Sequence, residues 1–229
     1  QSHAELLVRM VGEDGRLLMP GSFIPAAERY GLMSSIDRWM IRRVLHHYDR
    51  AILAVPRLSV SINLSANSLE DPGLVGFLME ELERSALPPH RMRFEITETA
   101  LINNIGAAGR LVETLRAAGY AIMLDDFGAG VSSFSYLERF PADYIKIDGD
   151  FVRKLRVNAI DRAIVESIND IGHKIGAVTV AEFVEDAETL QALREIGVDM
   201  AQGYHLARPM PIEAFLAGLG GDAPELAAE

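Results

Sequence analysis

The sequence contains no cysteine, and this absence removes several kinds of chemistry. Disulfide bonds, thiolate nucleophiles and zinc sites built on cysteine are all excluded. A chain without disulfides fits a reducing compartment. We therefore expect a cytoplasmic location for this segment, whether or not its parent protein is anchored in a membrane.

Long apolar runs and an excess of positive charge are also missing. No uninterrupted apolar run approaches about 20 residues, the length that a membrane-spanning helix needs, so we expect no direct membrane contact from this segment. The chain has 22 basic and 33 acidic residues and a net charge of −11. Polymeric nucleic acid is therefore not an expected partner, because its phosphates attract basic surfaces. A phosphate ester would need added positive charge, and a metal ion is the obvious source.

The beginning of the chain suggests that it is part of a longer protein. It has no initiating methionine and begins almost inside a strand: HAELLVRMV starts at residue 3, and we assign a strand to residues 4–11. We predict one domain over residues 1–220 and a disordered tail, GDAPELAAE, over 221–229. We also expect further domains upstream.

Strand-like and helix-like segments alternate along the whole chain. Such a βαβα pattern is typical of a parallel sheet covered by helices. About eight strand–helix units in 229 residues favour a small (β/α)8 TIM-like barrel of the α/β class. The alternative, an open doubly wound sheet, would normally need fewer strands.

Six successive predicted strands end in, or carry, polar side chains that could form a site. These residues are Asn63, Glu95, Asp125, Asp126, Lys146, Asp148, Glu182 and Gln202. In a barrel, the carboxyl ends of the strands meet at one face, where active sites are built. Several carboxylates at one point repel one another unless cations neutralise them, and hard oxygen ligands suit Mg²⁺ or Mn²⁺.

The stretch AIMLDDFGAG places two adjacent carboxylates, Asp125 and Asp126, at the end of an apolar strand. Two neighbouring aspartates can each bind a different ion, or bridge both, in a site with two metals about 3.5–4 Å apart. A turn or helix cap would explain Asp126 alone. Gly128 and Gly130 follow, and glycine supplies the unusual φ angles that a mobile catalytic loop needs.

Glu5 does not fit this scheme as simply as the others. It lies near the beginning of the strand that we assign to residues 4–11, whereas the other candidates lie at strand ends. If this first strand ran parallel to the rest, Glu5 would lie at the opposite face of the barrel. We therefore predict an antiparallel first strand.

Seven motifs in order cover nearly the whole chain: ELLVR (5–9), SINLSA (61–66), FEITET (94–99), DDFGAGVSS (125–133), YIKID (144–148), AEFVE (181–185) and QGYHLARP (202–209). Together they resemble the EAL-domain phosphodiesterases of bacterial cyclic di-GMP signalling. The resemblance implies a modified (β/α)8 barrel with an antiparallel first strand. It also implies hydrolysis of cyclic di-GMP to linear pGpG with two Mg²⁺ or Mn²⁺ ions per site.

The resemblance further implies a role for each matched residue. The implied metal ligands are Glu5, Asn63, Glu95, Asp125, Asp126 and Glu182, with Asp125 as the bridge. The implied catalytic residues are Glu182, Lys146 and Gln202. Glu182 would be either a general base or a ligand of the second metal, Lys146 would contact a water or a phosphate, and Gln202 would contact a coordinated water.

Other matched residues would bind the substrate or support the site. Arg9 would contact a phosphate, and FIPAAE (23–28), with Pro25 and Glu28, would line a guanine pocket. The implied supporting residues are Glu98, which would hold the 126–134 loop, and Asp148, Glu185, Gly128 and Gly130. Arg9 and Lys146 could alternatively form ordinary ion pairs that have no part in catalysis.

The sequence departs from the commonest family pattern at four positions. Leu6 replaces the alanine of the EAL motif, Ala129 replaces a threonine and Val131 replaces a tyrosine. Phe183 stands where glycine is frequent, and this change could alter how Glu182 is presented. None of the four removes an implied metal ligand.

Two other functions remain open from the sequence. A catalytically silent EAL module could bind cyclic di-GMP as a receptor, although such receptors typically lose metal ligands, and none is missing here. An unrelated barrel hydrolase acting on sugar phosphates is the other alternative.

We also expect a homodimer formed through SYLERF (135–140) and the segment 149–156, which follow the catalytic loop.

Overall fold

The computed structural model describes residues 2–130, 136–137 and 140–220. The predicted tail at 221–229 and much of the predicted dimer segment SYLERF lie outside the described residues. Within them, no helix combines the length and the apolar character needed to cross a lipid bilayer.

The strands of the described chain are β1 (Ser2–Leu6), β2 (Met10–Val11), β3 (Leu17–Leu18), β4 (Leu58–Asn63), β5 (Met92–Thr97), β6 (Ala121–Phe127), β7 (Tyr144–Ile147), β8 (Val178–Ala181) and β9 (Met200–Ala201). The helices are α1 (Pro20–Arg29), α2 (Met33–His47), α3 (Asp49–Ala54), α4 (Ala66–Glu70), α5 (Leu74–Arg84), α6 (Glu98–Asn103), α7 (Ile105–Ala117), α8 (Gly149–Val152), α9 (Ala159–Lys174), α10 (Ala187–Ile196) and α11 (Ile212–Gly220). A short 3-10 turn, Pro89–Arg91, precedes β5.

The main sheet has the order β1-β4-β5-β6-β7-β8-β9, and β2 and β3 form a separate antiparallel hairpin. The pairs β1–β4, β6–β7, β7–β8 and β8–β9 are parallel. In the described chain, helices lie between β1 and β4, β4 and β5, β5 and β6, β7 and β8, and β8 and β9, as parallel connections typically do. The α/β class with a parallel sheet is therefore confirmed.

The predicted antiparallel first strand is wrong. Strand β1 pairs with β4 in parallel, and Glu5 lies opposite Ser61. The error arose from the strand boundary, because β1 ends at Leu6, while Met10 and Val11 of the assumed strand belong to a separate hairpin. Glu5 is thus the penultimate residue of its strand, and a parallel strand brings it to the same end as Asn63.

The chain divides into two compact units. The first comprises the described residues of Gln1–Phe94, Ala118–Tyr120 and Met210–Glu229, and the second comprises Glu95–Ala117 and Ala121–Pro209. Fully buried side chains of the first unit include Ile41, Leu45, Ile52, Leu58 and Leu78. Those of the second include Ile96, Met123, Ile145, Ile147 and Val165. Apolar burial of this kind is the main favourable contribution to folding in both units.

In the first unit, Asp37 of α2 anchors the segment that follows β4. One of its carboxylate oxygens accepts hydrogen bonds from the Ser65 backbone N–H at 2.8 Å and from the Ser68 hydroxyl at 2.6 Å. Ser65 in turn caps α4 by accepting from the Ser68 backbone N–H. Burial raises the pKa of Asp37, and the bonds from Ser65 and Ser68 oppose that rise. The anchor lies just beyond Asn63, the last residue of β4.

Replacing Asp37 with alanine is expected to lower the free energy of unfolding by about 1–3 kcal/mol, because the two donors lose their acceptor inside the protein. Urea unfolding followed by circular dichroism measures this change. The matched control is Glu70→Ala, at an exposed position of α4. Equal stability of the two variants would contradict the anchoring role.

Candidate metal centre

In the second unit, three carboxylates surround one buried ammonium group. The Lys146 Nζ atom lies 2.7 Å from Glu95 Oε2, 2.8 Å from Asp125 Oδ1 and 2.8 Å from Glu182 Oε1. The Lys146 side chain is only 1% exposed. The four residues come from β5, β6, β7 and the position directly after β8. Neighbouring parallel strands thus bring together residues that are up to 87 positions apart in the sequence.

The adjacent aspartates reach the same site because β6 is irregular at this point. Leu124 pairs with Ile145 and Phe127 pairs with Ile147, so β6 uses one more residue than β7 over the same interval. Successive side chains of a regular strand point to opposite faces. The bulge, together with a φ of 52° at Asp126, breaks that alternation. Two consecutive carboxylates can therefore face one point.

Asp125, Asp126 and Glu182 form a group with the spacing of a metal site. One carboxylate oxygen from each lies within 4.8 Å of the others. With Glu95 and Lys146 included, four carboxylates and one ammonium carry a formal net charge of −3. Such an excess of negative charge, made of hard oxygen donors, fits a divalent cation.

Backbone hydrogen bonds fix the segment that carries Glu182. Its N–H donates to the Ile147 carbonyl at 3.3 Å, which continues the contact between β7 and β8. On the other side, the Gln202 N–H donates to the Ala181 carbonyl at 2.8 Å, and the Gln202 carbonyl accepts from the Val184 N–H at 3.0 Å. Gln202 therefore lies directly beside the Glu182 segment through its backbone.

Glu98, the first residue of α6, holds both sides of the loop that follows the aspartates. Its buried carboxylate accepts from the Gly128 N–H at 3.0 Å and from the Tyr136 hydroxyl at 2.7 Å. Burial raises the pKa of Tyr136, and the hydrogen bond to Glu98 raises it further. The phenol therefore remains a donor at neutral pH. Gly128 has a φ of 97°, which a residue with a side chain rarely adopts.

In the first unit, Glu5 and Asn63 are direct neighbours. The Asn63 amide donates to Glu5 Oε1 at 2.7 Å, joining the carboxyl ends of β1 and β4. His3, earlier in β1, contacts the hydroxyls of Ser59 and Ser61 at 3.2 and 3.0 Å. Two of the predicted ligands are thus paired here, and the others lie in the second unit. That these residues together bind two ions stays a prediction.

The remaining predicted residues occupy less distinctive surroundings. Arg9 is half-buried and donates to the Val8 carbonyl at 2.9 Å. The other positions are as follows: Pro25 and Glu28 are exposed on α1, Asp148 caps α8 by accepting from the Asp150 N–H, Glu185 is exposed, and Gly130 is exposed next to residues outside the described chain. Their roles stay predictions.

Two contacts that shape the site were not predicted from the sequence. The Tyr136 hydroxyl donates a hydrogen bond to Glu98, which lies 38 residues earlier in the sequence. No local sequence pattern predicts a contact between residues so far apart. Phe183 packs against Gly149, 34 residues earlier. The one signal in the sequence for the second contact was Phe183 itself, which stands where the resemblance implies a glycine.

Comparison with known proteins identifies the family. A family model described as EAL domain matches residues 2–209. The chain is 42% identical over 211 residues to cyclic di-GMP phosphodiesterase PdeB of Shewanella oneidensis, and the match covers 92% of this chain and 25% of that protein. It is 35% identical over 208 residues to cyclic di-GMP phosphodiesterase PdeF of Escherichia coli, with 91% of this chain and 28% of that protein covered. The chain thus spans less than a third of the length of these relatives.

Solved structures give the same assignment. The structure described as PaMucR phosphodiesterase in complex with c-di-GMP has a TM-score of 0.85 at 34% identity, covering 92% of this chain and 86% of that one. The FimX EAL domain of Pseudomonas aeruginosa bound to c-di-GMP has a TM-score of 0.81 at 30% identity, covering 90% and 82%. Sequence motifs, parallel fold and acidic cluster therefore agree, and the chain belongs to the EAL-domain family.

Proposed function

We propose that this domain hydrolyses cyclic di-GMP to linear pGpG and uses two divalent ions, Mg²⁺ or Mn²⁺, to do so. The observation that carries the proposal is the cluster of Glu95, Asp125, Asp126 and Glu182 around the Lys146 ammonium. A receptor that no longer cleaves its ligand has no need of such a concentration of negative charge. Relatives named as cyclic di-GMP phosphodiesterases support the choice of substrate.

The acidic residues would hold the ions in two sets. We assign Glu5, Asn63, Glu95 and Asp125 to one ion, and Asp125 and Asp126 to the other. Glu182 is assigned as a ligand of the second ion rather than a general base, because its carboxylate lies with those of Asp125 and Asp126. When bound, such ions lower the pKa of a water and neutralise charge on the phosphate under attack.

The chain's own cations and amides have complementary tasks in this proposal. Lys146 keeps Glu95, Asp125 and Glu182 in place through its three ion pairs and presents a positive charge to a phosphate oxygen. Arg9 would bind a second phosphate oxygen through its planar guanidinium. Gln202 would orient a water, while Pro25 and Glu28 would contact a guanine base. Glu98, Asp148 and Glu185 would support the site from outside, and Gly128 and Gly130 would supply backbone conformations that other residues rarely adopt.

Larger features of the protein also belong to the proposal. We infer a modified (β/α)8 TIM-like barrel, and the similarity to the solved structures supports this choice. We infer a homodimer as well. A relative named as a bifunctional diguanylate cyclase and cyclic di-GMP phosphodiesterase, MucR, supports a parent protein with a GGDEF-type or sensory domain.

Turnover of cyclic di-GMP by the purified domain tests the function directly. We expect pGpG to form in the presence of Mn²⁺ or Mg²⁺, and no product to form after chelation with EDTA, since the acidic cluster then lacks its counter-ions. Chromatography of the nucleotides measures the product. Binding by calorimetry without any pGpG would identify a receptor, and failure to bind cyclic di-GMP would reject the proposed substrate.

A further inference from the structure

Phe183, the residue after Glu182, has a backbone conformation that glycine normally adopts. Its φ is 51°, in the left-handed region where a Cβ crowds the following carbonyl. Among the non-glycine residues that the structure describes, only Arg57, Asp126 and Phe183 have positive φ. One of these belongs to the acidic cluster, and Phe183 directly adjoins it. Some other contact must therefore hold Phe183 in this conformation.

That contact is made with Gly149, the first residue of α8. A Cβ placed on Gly149 would lie 2.1 Å from Cδ2, 2.6 Å from Cγ and 2.8 Å from Cβ of Phe183. The phenylalanine ring therefore occupies the space that any side chain at 149 would need. The Arg153 guanidinium lies over the same ring, 4.4 Å from its centroid, and pairs with Asp150.

The ring thus joins the two segments that carry an ion pair of the site. Gly149 follows Lys146 by three residues, and Phe183 follows Glu182 directly, while Lys146 and Glu182 are themselves 2.8 Å apart. The opposite side of the Glu182 segment is equally confined. A Cβ on Gly203 would lie 2.3 Å from the backbone N and O of Val184. The segment is therefore held by a ring on one side and by close backbone packing on the other.

We propose that Phe183 is a positioning residue for Glu182: its ring, seated on Gly149, fixes the orientation in which the carboxylate faces Lys146 and a divalent cation. Phenylalanine at 183 and glycine at 149 then form one interlocking pair. A side chain at position 149 and the ring at position 183 would need the same space, so the protein can hold only one of them. The catalytic consequence of this inference rests on the proposed function, whereas its consequence for metal binding does not.

A double-mutant cycle on Phe183→Gly and Gly149→Ala tests the pair. Phe183→Gly removes both the strain and the ring, so we expect an intact fold and Mn²⁺ binding weaker by about tenfold, the effect typical of residues that orient a metal ligand. Gly149→Ala displaces the ring, so we expect the same loss with a lower melting temperature. The double variant is expected to bind Mn²⁺ as tightly as Phe183→Gly does, because a side chain at 149 has no ring left to displace. For the same reason, its melting temperature is expected to be higher than that of Gly149→Ala.

Calorimetric Mn²⁺ titration, thermal unfolding, and separate kcat and KM values are the measurements. We expect kcat to fall in both single variants while KM for cyclic di-GMP stays within about twofold, because the substrate contacts remain. Glu182→Gln serves as the reference variant, because its Mn²⁺ affinity and kcat show the effect of removing the carboxylate entirely. Phe183→Tyr keeps the ring and is expected to behave as the unaltered protein, as is Gly106→Ala, since nothing lies within 4 Å of a Cβ on Gly106 in α7.

Two results would overturn the inference. One is unchanged Mn²⁺ affinity in Phe183→Gly, and the other is full additivity of the two substitutions. Neither depends on whether the domain is a phosphodiesterase. Coupled loss of Mn²⁺ binding in a domain that never releases pGpG would reject the proposed reaction and keep the role of Phe183. Normal hydrolysis by Phe183→Gly would keep the proposed reaction and reject the role of Phe183.

Discussion

Replacing Lys146 with methionine is expected to lower the free energy of unfolding of the metal-free domain by about 3–5 kcal/mol, the usual effect of removing one partner from a buried ion pair. Three carboxylates lie within 2.8 Å of the ammonium that the substitution removes, and Glu95 is fully buried. For a domain of this size, the loss corresponds to a fall of roughly 10 °C or more in melting temperature. Differential scanning calorimetry in EDTA measures it.

Divalent metal should reverse part of this loss, because a cation bound by the same carboxylates replaces the missing charge. We expect the rise in melting temperature on addition of Mn²⁺ to be larger for Lys146→Met than for the unaltered domain, although pGpG release should be strongly reduced. Lys174→Met, at an exposed position in the last turn of α9, is the matched control and should change neither quantity. An unaffected melting temperature in Lys146→Met would show that the ammonium does not stabilise the cluster.

Replacing Asp125 with asparagine is expected to abolish most turnover while leaving the metal-free fold intact. Asparagine keeps the size of the side chain and an oxygen toward Lys146, but it removes one of the negative charges of an acidic cluster. Electrostatic repulsion in the metal-free domain therefore decreases. Loss of several kcal/mol of charge stabilisation in the transition state corresponds to a fall of about a thousandfold in kcat.

Two measurements separate this effect from general damage. The melting temperature in EDTA should be equal to or higher than that of the unaltered domain, and the stabilisation by Mn²⁺ should be lost. The exposed Asp170→Asn in α9 supplies a control with the same chemical change away from the cluster. Retained turnover in Asp125→Asn would contradict its assignment as the bridging ligand.

The sequence predicted the main strands and the residues that end them, because both depend on local patterns. Strands β4 (LSVSIN) and β5 (MRFEIT) show the alternation of apolar and polar residues that is typical of a strand, and β4 ends on the polar Asn63. The direction of β1 was predicted wrongly for the same reason. An unbroken apolar run from Leu6 to Val8 conceals the end of the strand, and hydrogen bonding to β4 decides where it stops.

The sequence by itself determined which chemical groups the site contains, since every implied ligand is a side chain fixed by the residue at its position. Only the tertiary structure decided how they meet. The bulge in β6 turns Asp125 and Asp126 toward one point, the packing of neighbouring strands places Lys146 among three carboxylates, and the ring of Phe183 fills the space above Gly149. These arrangements depend on contacts between residues that are distant in the chain, and no pattern within a single segment can specify them.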